Sequence, residues 1–297
     1  MNKKNLIAYI SLFCAMIFWS LTFIWYKEVF VNFKPITVIL LRLVIASILF
    51  LLFAFIFKKL QKIKKEHRML IFLLAFFEPF LYFFGEGYGL LYVSSTVASV
   101  IIALIPIFMP ITAYFFLKQK IKFLHFAGLI VSFTGVGMVT FAGSTDLTSS
   151  AVGVALMFFA VFSALGYGIT LSKLLKLYNI VTVMVYQNII AFVLFIPFFL
   201  VLDLRSFLEV SFSFKIFIPI INLAVFGSFV AFTLYAKGLR HVGINVATMF
   251  TYLIPAFTAV FAYLILKDEF CTQSIIGVFV VIAGLTIPQI PNFLKRG

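Results

Sequence analysis

The 297 residues are 64% hydrophobic, include 42 Phe, and reach a mean hydropathy of +1.21, so polar residues are too few to cover a soluble globule of 33.6 kDa. A formal net charge of +14 would suit a nucleic-acid binder, but the charges sit between long apolar runs in a pattern set by membrane topology, which excludes that class. The chain is read as an all-α integral membrane protein.

Runs close to the ~20 residues needed to cross a bilayer are predicted at 5–26, 35–57, 69–90, 94–117, 122–142, 150–172, 180–202, 214–236, 242–266 and 271–290. The first follows Asn2-Lys3-Lys4, shows no small-x-small cleavage pattern, and is expected to be a retained helix. The second opens at Pro35 and carries Arg42 about 10 Å along it. The third carries Glu86 at a similar depth near the same membrane face, so Arg42 and Glu86 are candidates for an ion pair or for substrate contact.

Glu78 lies ten residues beyond Arg68, about 15 Å into the third span and near the bilayer centre. No basic residue of the first half stands at its level. Such a carboxyl is suited either to a proton or substrate site or to a structural hydrogen bond with a neighbouring span. Pro79 follows it and predicts an irregular helix there. Helical spacing puts Glu78, Tyr82, Gly85, Glu86 and Gly89 on one small, polar face directed at a cavity or a neighbouring helix. Pro106 and Pro255 sit mid-span in the fourth and ninth runs and predict kinks or hinges. Gly128 and Gly135 in the fifth run, and Gly277 and Gly284 in the tenth, predict close helix packing. Trp19, Tyr82, Glu86, Tyr167, Tyr235 and the span-seven pair Gln187 and Asn188 complete the candidate cavity lining.

The charges between the spans fix orientation. With both termini cytoplasmic, seventeen Lys/Arg lie inside and five outside, with Arg42 alone inside a span, while Glu28, Asp146, Asp203, Glu209, Asp268 and Glu269 lie outside. The segment 58–68 is the longest inner loop, and its basic character is explained by anionic lipid headgroups. Cys14 and Cys271 support no disulfide framework.

Residues 89–137 align without a gap onto 238–286, with sixteen identities in forty-nine, including Pro106/Pro255, Tyr114/Tyr263, Lys118/Lys267, Gly128/Gly277 and Gly135/Gly284. The chain is a duplication, divided as 1–143 and 144–297. Five spans per half make the second half enter the membrane from the opposite side, so the architecture is ten transmembrane helices as two inverted five-helix repeats. The charges agree: Lys118, Lys120 and Lys122 follow the fourth span inside, whereas Lys267-Asp268-Glu269 follow the ninth outside.

Phe18-Trp19-Ser20, Pro35 with Leu41-Arg42, Gly89-Leu90 through Ile105-Pro106 and Gly238-Leu239 through Leu253-Ile254-Pro255, in this order, resemble the ten-span EamA-type transporters of the drug/metabolite transporter superfamily. The resemblance covers nearly the whole chain. One departure is Lys118-Gln119-Lys120 where the family commonly ends the fourth span with an acid; Glu269 keeps that acid in the second half.

The reading that follows is a secondary transporter of a small metabolite, outward in direction; the resemblance implies substrates such as amino acids or other small organic solutes, and the Phe- and Lys-rich, Ala-poor composition points to a bacterium and so to an inner membrane. The resemblance implies no cofactor, no metal and no nucleic acid, with a small-molecule substrate and membrane lipids as partners. Alternating access would rock the inverted repeats about a central site, and Glu78 is the candidate for proton coupling. A flippase for a lipid-linked small sugar is the alternative. An intramembrane lipid-modifying enzyme is disfavoured, because acids do not cluster and His67, His125 and His241 lie far apart at loop edges. The absence of GxxxxGK[ST] argues against an ATP-driven pump.

Overall fold

The computed structural model describes residues 3–117, 124–140, 147–210, 213–267 and 272–287. Lys118, Gln119, Lys120, Lys122, Asp146, Asp268, Glu269, Cys271, Lys295 and Arg296, used above for topology and comparison, lie outside them. The described residues form helical segments in this order: α1 Lys3–Val29, α2 Pro35–Ile56, α3 Lys65–Tyr92, α4 Ser95–Phe116, α5 Leu124–Thr140, α6 Leu147–Leu177, α7 Ile180–Leu208, α8 Phe214–Val242, α9 Ile244–Leu266 and α10 Thr272–Thr286. Eight are long and apolar enough to cross a membrane, while α5 and α10 contribute shorter apolar stretches, Ile130–Val139 and Ile275–Gly284. The outer surface is apolar, with Phe55, Phe115 and Val201 largely exposed, as expected of side chains that meet hydrocarbon rather than water.

Local chemistry sets the boundaries. Pro35 starts α2 with its φ already helical and no N–H to leave unpaired. Ser94 caps α4 through Val97 N at 3.2 Å, and Asn179 caps α7 through Thr182 N at 2.8 Å. Gly243, at φ +82°, turns the chain from α8 into α9, a conformation open to glycine.

Pro106 and Pro255 do interrupt matched helices. The α4 helix breaks between Ile102 and Ile105, and α9 passes through a tight turn at Phe250–Leu253 before resuming at Ile254. A proline cannot bond the carbonyl four residues back. Those positions are Ile102 and Thr251, equivalent across the duplication, and both line the central cavity.

The repeats are sequence units, but the packing units cross them. The α1 helix lies against α8 and α9, α6 against α3 and α4, α2 against α7, and α5 against α10. The tightest approach is between α5 and α10. A Cβ on Gly135 would stand 2.7 Å from the Gly277 carbonyl oxygen and from Val281 N, and a Cβ on Gly284 would stand 2.8 Å from the Gly128 oxygen. Each glycine thus meets the counterpart of the other, and Ser132 Oγ donates to its own repeat equivalent, Val281 O, at 3.3 Å.

Two clasps tie α2 to α7 at opposite ends. Past the end of the predicted seventh span, Asp203 Oδ2 accepts from Thr37 N at 2.9 Å and from Thr37 Oγ1 at 3.1 Å. Asp203 reads from the sequence as a loop charge, yet it is buried, because it caps the first turn of α2, where the cap position, Lys34, supplies no side-chain bond. At the other end Thr182 Oγ1 accepts from Gln61 N at 2.9 Å and donates to Lys59 O at 3.1 Å, while Asn179 Nδ2 donates to the same carbonyl at 2.7 Å. Asp203→Ala is expected to destabilise the fold by about 0.5–2 kcal/mol, with Asp203→Asn losing less. Melting curves in detergent measure this, and curves coincident with wild type would show that the clasp contributes nothing.

Candidate functional site

At the middle of the bundle α1, α2, α3, α4, α6, α8 and α9 line a cavity of about 50 Å³. Its lining includes Trp19, Arg42, Glu78, Tyr82, Glu86, Tyr167 and Tyr235, residues that the sequence singled out from five different spans.

Glu78 owes its position to Pro79. A residue before proline is driven away from helical dihedrals, and Glu78 adopts φ −150°, ψ 124° inside the otherwise helical α3. The helix is thereby broken over Phe76–Leu81, and the Glu78 side chain enters the cavity at 6% exposure. No hydrogen bond or ion pair holds its carboxyl among the described residues. Beyond the break, the face expected to be uniform divides: Tyr82 and Glu86 line the cavity, whereas Gly85 and Gly89 receive α6, with backbone and side-chain atoms of Leu156 and Met157 2.8 Å from where their Cβ atoms would be.

Arg42 is 1% exposed. Its Nε donates to Ser228 Oγ at 2.7 Å and its Nη1 to Tyr26 OH at 2.9 Å, and the guanidinium carbon lies 4.0 Å from the ring centre of Phe83. The expected direct ion pair with Glu86 is not formed. Glu86 instead accepts from Tyr82 OH at 3.0 Å and neighbours Tyr26, whose hydroxyl therefore stands between cation and carboxyl. Tyr26, which comes from α1, takes the guanidinium's Nη1 for itself. Tyr26→Phe removes the acceptor of Nη1 and is expected to cost about 1–3 kcal/mol of stability. A melting temperature equal to wild type would show that the hydroxyl is dispensable.

Aromatic side chains form much of the rest of the lining. Trp19 donates Nε1–H to Gly227 O at 3.2 Å and packs 4.9 Å from Tyr235 and 5.3 Å from Phe232, centroid to centroid. The Tyr167 hydroxyl is buried beside Gln187 and has no hydrogen-bond partner within bonding geometry among the described residues. Gln187 and Asn188 are not part of the lining. Gln187 stands behind Tyr167 with its own Oε1 unpartnered, and Asn188 turns back to Met184 O at 2.9 Å. The exposed face of α7 is the opposite one, so its two amides are buried between helices instead of facing the cavity.

Tyr26, Phe83, Phe232 and Ser228 were not singled out from the sequence. Ser228 carried a faint signal, as a lone hydroxyl in the apolar run Leu223–Val230. Tyr26 and the two Phe residues had none in a chain with 19% aromatic residues. Among the described residues no group of three His, Cys, Asp or Glu is placed to hold a metal.

A model of the EamA-like transporter family matches residues 6–141 and again 151–287. An uncharacterized transporter of Archaeoglobus fulgidus is 26% identical over 279 residues, covering 94% of this chain and 97% of its own length. The uncharacterized transporter YetK of Bacillus subtilis is 25% identical over 299 residues, covering 97% and 88%. A solved crystal structure superposes with a TM-score of 0.72 over 98% of this chain and 99% of that one, at 11% identity, a likeness of fold alone.

Proposed function

The chain belongs to the EamA-like transporter family, and from that premise and its central cavity we propose a secondary transporter that exports a small metabolite such as an amino acid, coupled to protons through Glu78. One observation carries the reading: two carboxyls and a guanidinium, each expensive to bury in a membrane, line one cavity together with Trp19, Tyr167 and Tyr235.

The crossing of the repeats bears on how access would alternate. With α1 held to α8 and α9, and α6 held to α3 and α4, the bodies that rock are these mixed groups, not residues 1–143 against 144–297. The breaks ahead of Pro106 and Pro255 lie where the two groups meet and supply the bending points. The charge distribution supports a bacterial inner membrane with both termini in the cytoplasm, and the basic segment 58–68 would then meet anionic headgroups.

The test is uptake by purified protein in proteoliposomes, over amino acids and other small metabolites, with and without an imposed pH gradient. Gradient-driven accumulation of at least one compound is expected. Saturable uptake indifferent to the gradient would remove proton coupling, and no uptake of any compound would count against a soluble substrate.

A further inference from the structure

The protein's own hydrogen bonds leave Arg42 incompletely served. A buried charge is tolerated only when it is paired and its donors are used. Here the partners are two neutral hydroxyls and the face of Phe83. No carboxylate stands within ion-pair distance among the described residues, and Nη2 makes no hydrogen bond among them. That nitrogen lies beside Gly227, 3.3 Å from where a Cβ would be, so the absent side chain keeps it clear. With Nε and Nη1 fixed, the guanidinium is held in one orientation at the cavity wall. Such a group is pre-organised for one oxyanion, which it binds more strongly than a neutral acceptor.

The other charges of the cavity limit what that anion can be. Glu78 and Glu86 line the same space, so a solute carrying only negative charge would be repelled. A solute that also carries a cation is not, and Glu78, which has no bond of its own, is the group left to face it. We infer that Arg42 is the anchor for the carboxylate of a zwitterionic substrate, bound through Nη2 with the substrate's ammonium towards Glu78. This rests on the transport reading above.

A second feature points the same way. Lys173, Lys176 and Arg240 line a hollow at the ends of α6 and α8, with no acidic residue in its wall. It lies about 9 Å along α6 from Tyr167, at the cytoplasmic end on the proposed topology. Met109 of the cavity and Ile244 of the hollow both lie against Gly168, so the two spaces approach each other there. A carboxylate would be concentrated by this positive mouth before reaching Arg42.

The experiment measures ligand-induced thermal stabilisation of the detergent-purified protein by the twenty common amino acids, each beside its amide and its decarboxylated amine. At least one amino acid should stabilise, with its amide and amine needing about tenfold higher concentration or more. Arg42→Lys should erase that preference for the acid. Equal stabilisation by acid, amide and amine in the wild-type protein, or none by any amino acid, overturns the inference without relying on a variant. Transport is read separately. Acids that bind but are never carried would sink the transporter reading and leave the anchor standing; amines carried in preference to acids would do the reverse.

Discussion

In Glu78→Gln, an imposed pH gradient is expected to leave uptake at the rate seen without one, while gradient-free exchange of substrate persists. The substitution keeps the volume and most of the hydrogen-bonding capacity of the side chain and removes its capacity to exchange a proton together with its charge, so the exchange that persists should need a higher concentration of a zwitterionic substrate. Because nothing among the described residues bonds the Glu78 carboxyl, and Pro79 rather than the side chain sets the backbone there, the fold should be little disturbed. Glu86→Gln provides the contrast. That carboxyl accepts from Tyr82 and neighbours the Tyr26–Arg42 pair, so its loss should lower stability as well as transport. A Glu78→Gln protein whose uptake still responds fully to the gradient would sink the assignment of Glu78 as the coupling group.

Gly135→Leu is expected to abolish the folded protein, and Gly135→Ala to destabilise it by about 1–3 kcal/mol. The atoms in the way are the Gly277 carbonyl oxygen and Val281 N, both backbone, with Val281 Cγ2 beside them, so the usual relief of swinging a side chain aside is not available. Gly284→Ala should behave alike, since Ser132 N and the Gly128 oxygen block its Cβ. Gly137, two residues along the same helix, has nothing within 4 Å of its Cβ position. Gly137→Ala should therefore be neutral or slightly stabilising. Thermal melts with size-exclusion profiles separate these cases, and equal melts for the alanine variants at 135 and 137 would refute close packing as the role of Gly135.

Much of this arrangement is legible in the sequence because the informative residues are rare against their background. Arg42, Glu78 and Glu86 stand out in apolar runs, and each lines the cavity. The glycine pairs at 128/135 and 277/284 stand out through the duplication, and the structure brings them together. What the sequence does not carry is the rotation of each helix. A span that is apolar all round has no stripe to mark its inward face, so Gln187 and Asn188 could not be distinguished from cavity residues, nor Tyr26 from a lipid-facing tyrosine. Partner choice is equally silent. Helical periodicity placed Gly85 with Glu86, but whether α6 or the cavity faces each was decided by packing. The Arg42–Glu86 pair failed for the same reason, since depth along a span says nothing of a third helix's hydroxyl bonded to the cation.

The two hydrogen-bond partners of Arg42 have very different ages in a growing chain. Tyr26 is made sixteen residues before it, but Ser228 follows 186 residues later. At roughly 5–20 residues per second, the guanidinium spends on the order of ten to forty seconds in the bilayer with Nε unclaimed. The first half therefore leaves the ribosome as an unfinished object. Synthesised by itself it should be degraded, and rescue should come from supplying the second half as a separate polypeptide.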